Sequence, residues 1–359
     1  MSVITFTSSV SLNEFAHLIG TVGKDVTVIG QGEPGIGKSA MLKQIAKMNP
    51  EYETAYIDCT LLDLGDFALP YTVDGGAVGK VTKFAPNARF KMQEGKPVIV
   101  MLDEIGKAMK SVKNVLLTLM LEQRIGDAYL PDGSIVFGTT NLASDGVGDS
   151  LEAHARNRVC FVTVRKPDDE QWIEWAINND IAPEVIAWVK QFPQALASYT
   201  DESQRDNPYI FNPTRAGQMA FVTPRSLEKA SDISKQRAIL GDNLTITALS
   251  GTIGEAAARD MQAFFTVVDK LPTWEAVVKD PKGAKVPEDA DAVAKCIFVF
   301  SALAKVTKES FAPLMDYMLR LDPEWQALFA KSIIKSTKQT IAISNKEFKE
   351  WALKNQYLF

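Results

Sequence analysis

A glycine-rich stretch has the residue types and spacing that bind phosphate. Residues 32–39 read GEPGIGKS and satisfy the pattern G-x-x-x-x-G-K-[ST]. The stretch follows a strand-like run that ends at Gly30 and opens a helical pattern over 38–48. Glycines let main-chain N–H groups approach an anion closely, so Lys38 would contact the β- and γ-phosphates of a nucleotide and Ser39 would bind Mg²⁺. The alternative is a glycine-rich turn without a ligand. The predicted ATP-binding residues are Gly32, Glu33, Pro34, Gly35, Ile36, Gly37, Lys38, Ser39 and Ala40.

Two acidic residues follow an apolar run downstream. Residues 98–104 read VIVMLDE, and the run ends in Asp103 and Glu104. At the carboxyl end of a buried strand, Asp103 would hold Mg²⁺ through water and Glu104 would activate the attacking water as general base. Such a pair is often only a solvated turn, but the phosphate loop upstream favours the catalytic interpretation.

Asn141 ends the next strand-like run, FGTTN. A polar residue beside the metal-binding strand can orient the water or sense the γ-phosphate. Asparagine at a strand end is also a common turn former. Its order along the chain after Asp103 favours a functional role.

Strand and helix patterns alternate through the first half of the chain. A capping box at Ser11 and Glu14 predicts a helix start. Nearly all-apolar strands are typical of parallel sheets, so residues 1–165 are predicted to form an α/β domain. Helical patterns dominate afterwards, which predicts a helical linker and loop region at 166–222 and an α-helical lid or C-terminal domain at 223–359.

Composition excludes several classes of protein. The 359 residues are 46% hydrophobic and carry a net charge of −5, so nothing favours non-specific nucleic-acid binding. Three distant cysteines and two histidines provide no zinc spacing and no disulfide framework. The amino terminus lacks a signal-peptide pattern, and no apolar run approaches the ~20 residues that span a bilayer. We expect a soluble cytoplasmic protein without membrane insertion.

The phosphate loop, the D-E strand end and the T-T-N strand end, in this order, resemble an AAA+ ATPase. The stretch 61–96 is longer than a plain AAA+ helix 2 and contains YTVDGGAVGKVTKF at 71–84, where Asp74-Gly75-Gly76 predicts a hairpin turn. This resembles the helix-2 insert of the MoxR and dynein-related branch of P-loop NTPases. TPRSLE at 223–228 and LPTWEAVVKDP at 271–281 resemble one MoxR-like group, so the similarity covers nearly the whole chain.

The resemblance assigns roles to two arginines. Arg158, just before the apolar run VCFVTV, matches the arginine finger, although the family usually has Phe where this chain has Val159. Arg225, in TPRS, matches the sensor-2 arginine of a lid helix. A cation at the γ-phosphate can be worth ~10³–10⁵ in rate, and arginine's planar fork meets two oxygens. The role of Arg156 stays open: it is either a helper of Arg158 or a surface charge.

Other candidates are weaker. Asp58 and Thr60 could form a polar switch beyond a strand, and Arg124 could point across an interface. The hairpin at 71–84 could contact substrate in a central pore or pack between subunits. His17 and His154 are predicted to have no catalytic role.

The resemblance implies Mg²⁺-dependent ATP hydrolysis by a homo-oligomer, a hexameric ring. A finger that acts in trans needs a neighbour, which by itself implies only more than one subunit. It also implies remodelling or chaperoning of a protein partner, often one with a von Willebrand factor A domain. One alternative is a nucleic-acid-directed AAA+ motor or loader, against which the acidic charge counts. Another is a non-catalytic nucleotide-gated scaffold, against which the intact set of Lys38, Asp103, Glu104 and Arg158 counts.

Overall fold

The chain forms two compact units, Met1–Lys166 and Pro167–Phe359. The structure is a computed structural model and describes residues 9–142, 157–215, 217–288 and 291–358. Each unit has its own hydrophobic core, and all six tryptophans of the sequence belong to the second unit. Among the described residues, no helix is both long and apolar enough to cross a bilayer.

A six-stranded parallel sheet organises the first unit. Its strands lie in the spatial order β1-β10-β2-β9-β6-β3, and every neighbouring pair is parallel. The predicted α/β class with a parallel sheet is therefore confirmed. The strands are β1 (Ser9–Val10), β2 (Val28–Gln31), β3 (Glu53–Asp58), β6 (Val98–Asp103), β9 (Ile135–Thr140) and β10 (Cys160–Val164).

The sheet is covered on both faces, and strand β6 shows how the sequence achieves this. Every residue of β6 is buried. Because side chains alternate along a strand, Val100 and Leu102 pack into one apolar cluster while Ile99 and Met101 pack into another. The helices among the described residues of this unit are α1 (Leu12–Val22), α2 (Met41–Met48) and α3 (Lys110–Glu122). The predicted capping box at Ser11 and Glu14 is present at the start of α1.

The described part of the first unit also contains two antiparallel hairpins. Strands β4 (Ala68–Asp74) and β5 (Lys80–Pro86) pair antiparallel in a register that places Asp74 opposite Lys80. The expected turn lies between them, and Gly76 adopts a φ of 65° that suits glycine. Strands β7 (Arg124–Ile125) and β8 (Ala128–Tyr129) form the second, shorter hairpin.

The second unit is helical and is built on one core. Asp168 caps its first helix and Pro183 opens its second, as the helical patterns predict. One core contains Trp172, Trp188 and Trp351, although Trp351 is far from the other two in the sequence. Its helices are α4 (Asp169–Ala176), α5 (Pro183–Gln191), α6 (Pro224–Lys235), α7 (Arg237–Ile253), α8 (Glu255–Val268), α9 (Trp274–Lys279), α10 (Ala292–Lys305), α11 (Phe311–Met318), α12 (Pro323–Ile334), α13 (Gln339–Ser344) and α14 (Lys346–Lys354).

Candidate active site

Sheet topology brings the phosphate loop, the acidic pair and Asn141 to one edge. Strand β9 lies between β2 and β6 although it follows both in the chain. All three strands are parallel, so their carboxyl ends share an edge. The loop with Lys38 follows β2, Asn141 follows β9, Asp103 ends β6 and Glu104 comes directly after it. Asn141 is thereby placed between the lysine and the glutamate.

The glycine-rich loop needs glycine for two distinct reasons. Gly35 and Gly37 have φ values of 73° and 110°, a region that side chains with a Cβ rarely adopt. Gly32 is needed for space, since a Cβ there would lie 2.5 Å from the main-chain oxygen of Val164 at the end of β10. The loop continues into a single 3₁₀ turn at Lys38–Ala40 and then into α2.

Lys38 is buried, with 5% of its surface exposed. Its ammonium donates to the main-chain oxygens of Gly32 at 2.6 Å and Glu33 at 2.8 Å. It also donates to Oδ1 of Asn141 at 2.9 Å. A buried charge requires such partners, and the loop itself provides two of them. The lysine is thus held at the centre of the loop that the motif predicts.

Glu104 is held by two polar side chains. Nδ2 of Asn141 donates to Oε1 and Oε2 of Glu104 at 2.9 and 3.1 Å. The ammonium of Lys107 lies 3.1 Å from Oε2. The main chain at Glu104 has a φ of 56°, which is left-handed and uncommon outside glycine. Such conformations cluster at functional sites, where surrounding contacts hold them in place.

The carboxylate of Asp103 accepts four hydrogen bonds. Oδ2 accepts from the hydroxyls of Ser39 at 2.8 Å and Tyr56 at 2.9 Å. Oδ1 accepts from the hydroxyl of Thr139 and from the main-chain N–H of Glu104, the latter at 3.1 Å. The side chain of Asp103 is 5% exposed. A hydroxyl and a carboxylate side by side are the hard oxygen ligands that Mg²⁺ prefers, so Ser39 and Asp103 fit a magnesium site.

Three of these residues, Tyr56, Thr139 and Lys107, are not among the predicted site residues. Tyr56 and Thr139 lie on other strands than Asp103, and chain order does not reveal which strands are neighbours. The period-two alternation of each strand would have placed the tyrosine on the correct face only once the register was known. For Lys107, the signal is its position three residues after Glu104.

Two further titratable groups lie near the site. Burial lowers the pKa of Lys166, which follows β10, to about 8, and nearby Glu33 acts in the opposite direction. Burial, followed by the charge of Asp103, raises the pKa of the Cys59 thiol. Cys59 is therefore held as a neutral thiol and is no nucleophile at neutral pH.

Of the two predicted arginines, Arg158 belongs to the first unit and Arg225 to the second. Arg158 is exposed in the turn before β10. Arg225 is exposed in the first turn of α6, which begins after the N-cap Thr223. Arg156 and His154 lie outside the described residues.

The weaker candidates have local contacts. Arg124 donates to the main-chain oxygen of Gly126 at 2.7 Å and pairs with Glu122 at 3.0 Å. Oδ1 of Asp58 accepts from the hydroxyl of Thr60 at 2.7 Å.

Comparison with known proteins gives one family match. Residues 27–142, which contain the whole cluster, match the model described as AAA domain (dynein-related subfamily). A search among curated proteins found no match. Similar solved structures include a RuvB mutant from Thermotoga maritima, at 13% identity over 85% of this chain and 90% of that one, with a TM-score of 0.37. NtrX from Brucella abortus in complex with ADP is 12% identical over 99% of this chain and 69% of that one, with a TM-score of 0.34. Both are too distant to bear on function.

Proposed function

Because residues 27–142 form an AAA domain of the dynein-related subfamily, we propose that this protein hydrolyses ATP in a Mg²⁺-dependent reaction. One observation carries the proposal. Lys38, Asn141 and Glu104 form a continuous hydrogen-bonded chain, and Ser39 lies against Asp103 beside it. A phosphate-binding lysine, a pair of metal ligands and a general base thus share one sheet edge.

Each residue has a role that its contacts support. The loop 32–40 and Lys38 would bind the phosphates, and Ser39 and Asp103 would hold Mg²⁺. When bound, Mg²⁺ supplies positive charge to the phosphate oxygens. Glu104 would take a proton from the attacking water, and Asn141 would orient that glutamate.

Arg158 is proposed to act on a neighbouring subunit. Cys160 pairs with Val28 at the amino end of β2, whereas the phosphate loop follows the carboxyl end of that strand. Arg158 precedes Cys160, so the length of β2, about 13 Å at 3.3 Å per residue, separates it from its own loop. This supports a finger that serves another copy of the chain, in a closed ring that the MoxR resemblance makes a hexamer.

The coupling of hydrolysis to work is proposed from the MoxR-like resemblance alone. Arg225, at the start of a helix in the second unit, would sense the nucleotide as sensor 2. Remodelling of a protein partner, such as one with a von Willebrand factor A domain, would use the difference between ATP and ADP states. The cytoplasm is the compartment we propose, on the grounds of composition.

The proposal is tested with Glu104→Gln, which keeps the shape of the side chain and removes the base. We expect ATP binding to persist while turnover falls by at least ~10²-fold, the usual worth of general base catalysis. Glu94→Gln, on an exposed turn of the same unit, serves as the matched control and should turn over normally. Unchanged turnover in Glu104→Gln would overturn the assignment of the base. Absence of ATPase activity in the wild-type protein, with or without Mg²⁺, would overturn the function.

A further inference from the structure

Tyr56 is a residue of the site edge that no motif accounts for. It lies on β3, which pairs with β6 so that Tyr56 is opposite Met101 and Asp58 is opposite Asp103. Side chains alternate along both strands, so Tyr56, Met101 and Asp103 share one face of the sheet. A long side chain can reach the diagonal neighbour on an adjacent strand. The phenol of Tyr56 does this, and its hydroxyl donates to Oδ2 of Asp103 at 2.9 Å.

The same carboxylate oxygen also accepts from Ser39, at 2.8 Å. The two donors approach from different elements, one from the phosphate loop and one from β3. Ser39 is itself a metal-ligand candidate, whereas the phenol of Tyr56 acts here as a hydrogen-bond donor. Tyr56 therefore holds Oδ2 independently of any change in the loop.

The opposite oxygen is held in the same manner. Oδ1 accepts from Thr139, which is fully buried on β9, and from the main-chain N–H of Glu104. With donors on β3, β9 and the loop, rotation of the Asp103 carboxylate would break several hydrogen bonds at once. Partners of this kind orient metal ligands, and their loss typically costs 10–100-fold in metal affinity or activity.

We propose that Tyr56 is a positioning residue for the magnesium site, which fixes the orientation of the Asp103 carboxylate toward Ser39. This inference rests on the proposed ATPase function. Tyr56 would not touch nucleotide or metal. Removal of the Tyr56 hydroxyl would lower the affinity of the site for a divalent cation and leave the affinity of the loop for phosphates unchanged.

The test substitutes Tyr56→Phe, which keeps the ring and removes the hydroxyl. The matched control is Tyr52→Phe in the same unit, which removes a phenol that donates to the main-chain oxygen of Gly133 at 3.1 Å, away from the site. Two measurements are made on the full chain. One is the Mg²⁺ concentration that gives half-maximal ATPase activity. The other is Mn²⁺ binding in the presence of ADP, followed by electron paramagnetic resonance, which needs no turnover.

We expect both metal affinities to fall about 10-fold in Tyr56→Phe and to be unchanged in Tyr52→Phe. ADP binding in EDTA and the melting temperature of Tyr56→Phe should match the wild type. Equal Mg²⁺ and Mn²⁺ dependence in the two variants would overturn the inference and leave the ATPase proposal standing. The inference would also be overturned if ADP affinity in EDTA fell as much as the metal affinity. Tyr56 would then support the fold of the site in general. A wild-type protein that binds Mn²⁺–ADP without hydrolysing ATP would instead contradict the proposed function.

Discussion

At the scale of single residues, Asn141 has the most informative position. Its amide oxygen accepts from Lys38 and its amide nitrogen donates to Glu104, so one side chain connects the phosphate-binding residue with the general base. A side-chain amide carries a donor and an acceptor side by side on one rigid plane. A carboxylate at this position would repel Glu104, and a hydroxyl would be too short to reach both partners.

Asn141→Ala is expected to lower turnover by about 10²-fold, in the range found when one preorganised polar group is removed from an active site. The reason is that Glu104 would keep Lys107 as a partner and would lose the amide that orients it. Steady-state ATPase kinetics provide the measurement. Asn114→Ala, on the exposed side of α3, is the control, and equal turnover in the two variants would contradict the bridging role.

At the scale of elements, the site depends on a strand order that local patterns do not contain. The sequence predicts the loop, the acidic pair and Asn141 because each is a short contiguous signal at the end of an apolar run. Tyr56 and Thr139 join the site only because β3 and β9 flank β6. Pairing of distant strands is a tertiary property, and one shift of register would turn Tyr56 to the opposite face. This is why the cluster could be predicted in outline and its supporting hydroxyls could not.

Lys166, which follows strand β10, makes the stability of the protein depend on pH. Burial lowers the pKa of this lysine to about 8, below its ordinary value of 10.5. The folded protein therefore binds the proton less tightly than the unfolded chain. Between about pH 8 and 10.5 the unfolded state carries more protons, so this group adds stability as the pH rises. Below pH 8 its burial as a cation is unfavourable.

Lys166→Met should therefore raise the melting temperature at pH 7, and the gain over wild type should shrink by pH 9.5. Thermal unfolding followed by far-ultraviolet circular dichroism at the two pH values measures this. Lys47→Met, on the exposed side of α2, controls for a general loss of positive charge. A gain that is the same at both pH values would show that the lysine's charge is not the cause.

At the scale of the whole molecule, the position of Arg158 predicts that one chain is an incomplete enzyme. Lys38→Ala and Arg158→Ala should each be inactive alone, and activity should return when they are mixed. In mixed rings, about a quarter of the sites combine an intact loop with an intact neighbouring finger. ATPase activity against mixing ratio is the measurement.

The matched control mixes Lys38→Ala with Glu104→Gln. Both residues belong to the site of their own chain, so every site in such a mixed ring keeps one defect and activity should stay absent. Recovery in both mixtures would indicate exchange or contamination. Recovery in neither would contradict a finger that acts in trans.

All six tryptophans lie in Pro167–Phe359, so the first unit has no tryptophan emission and the second unit has all of it. The phosphate loop and its partners carry no indole, so intrinsic tryptophan emission cannot respond to nucleotide through the chemistry of the loop itself. Any change in emission on adding ATP must arise in the helical unit. The wild-type protein thus carries an intrinsic reporter of nucleotide-dependent change in the helical unit.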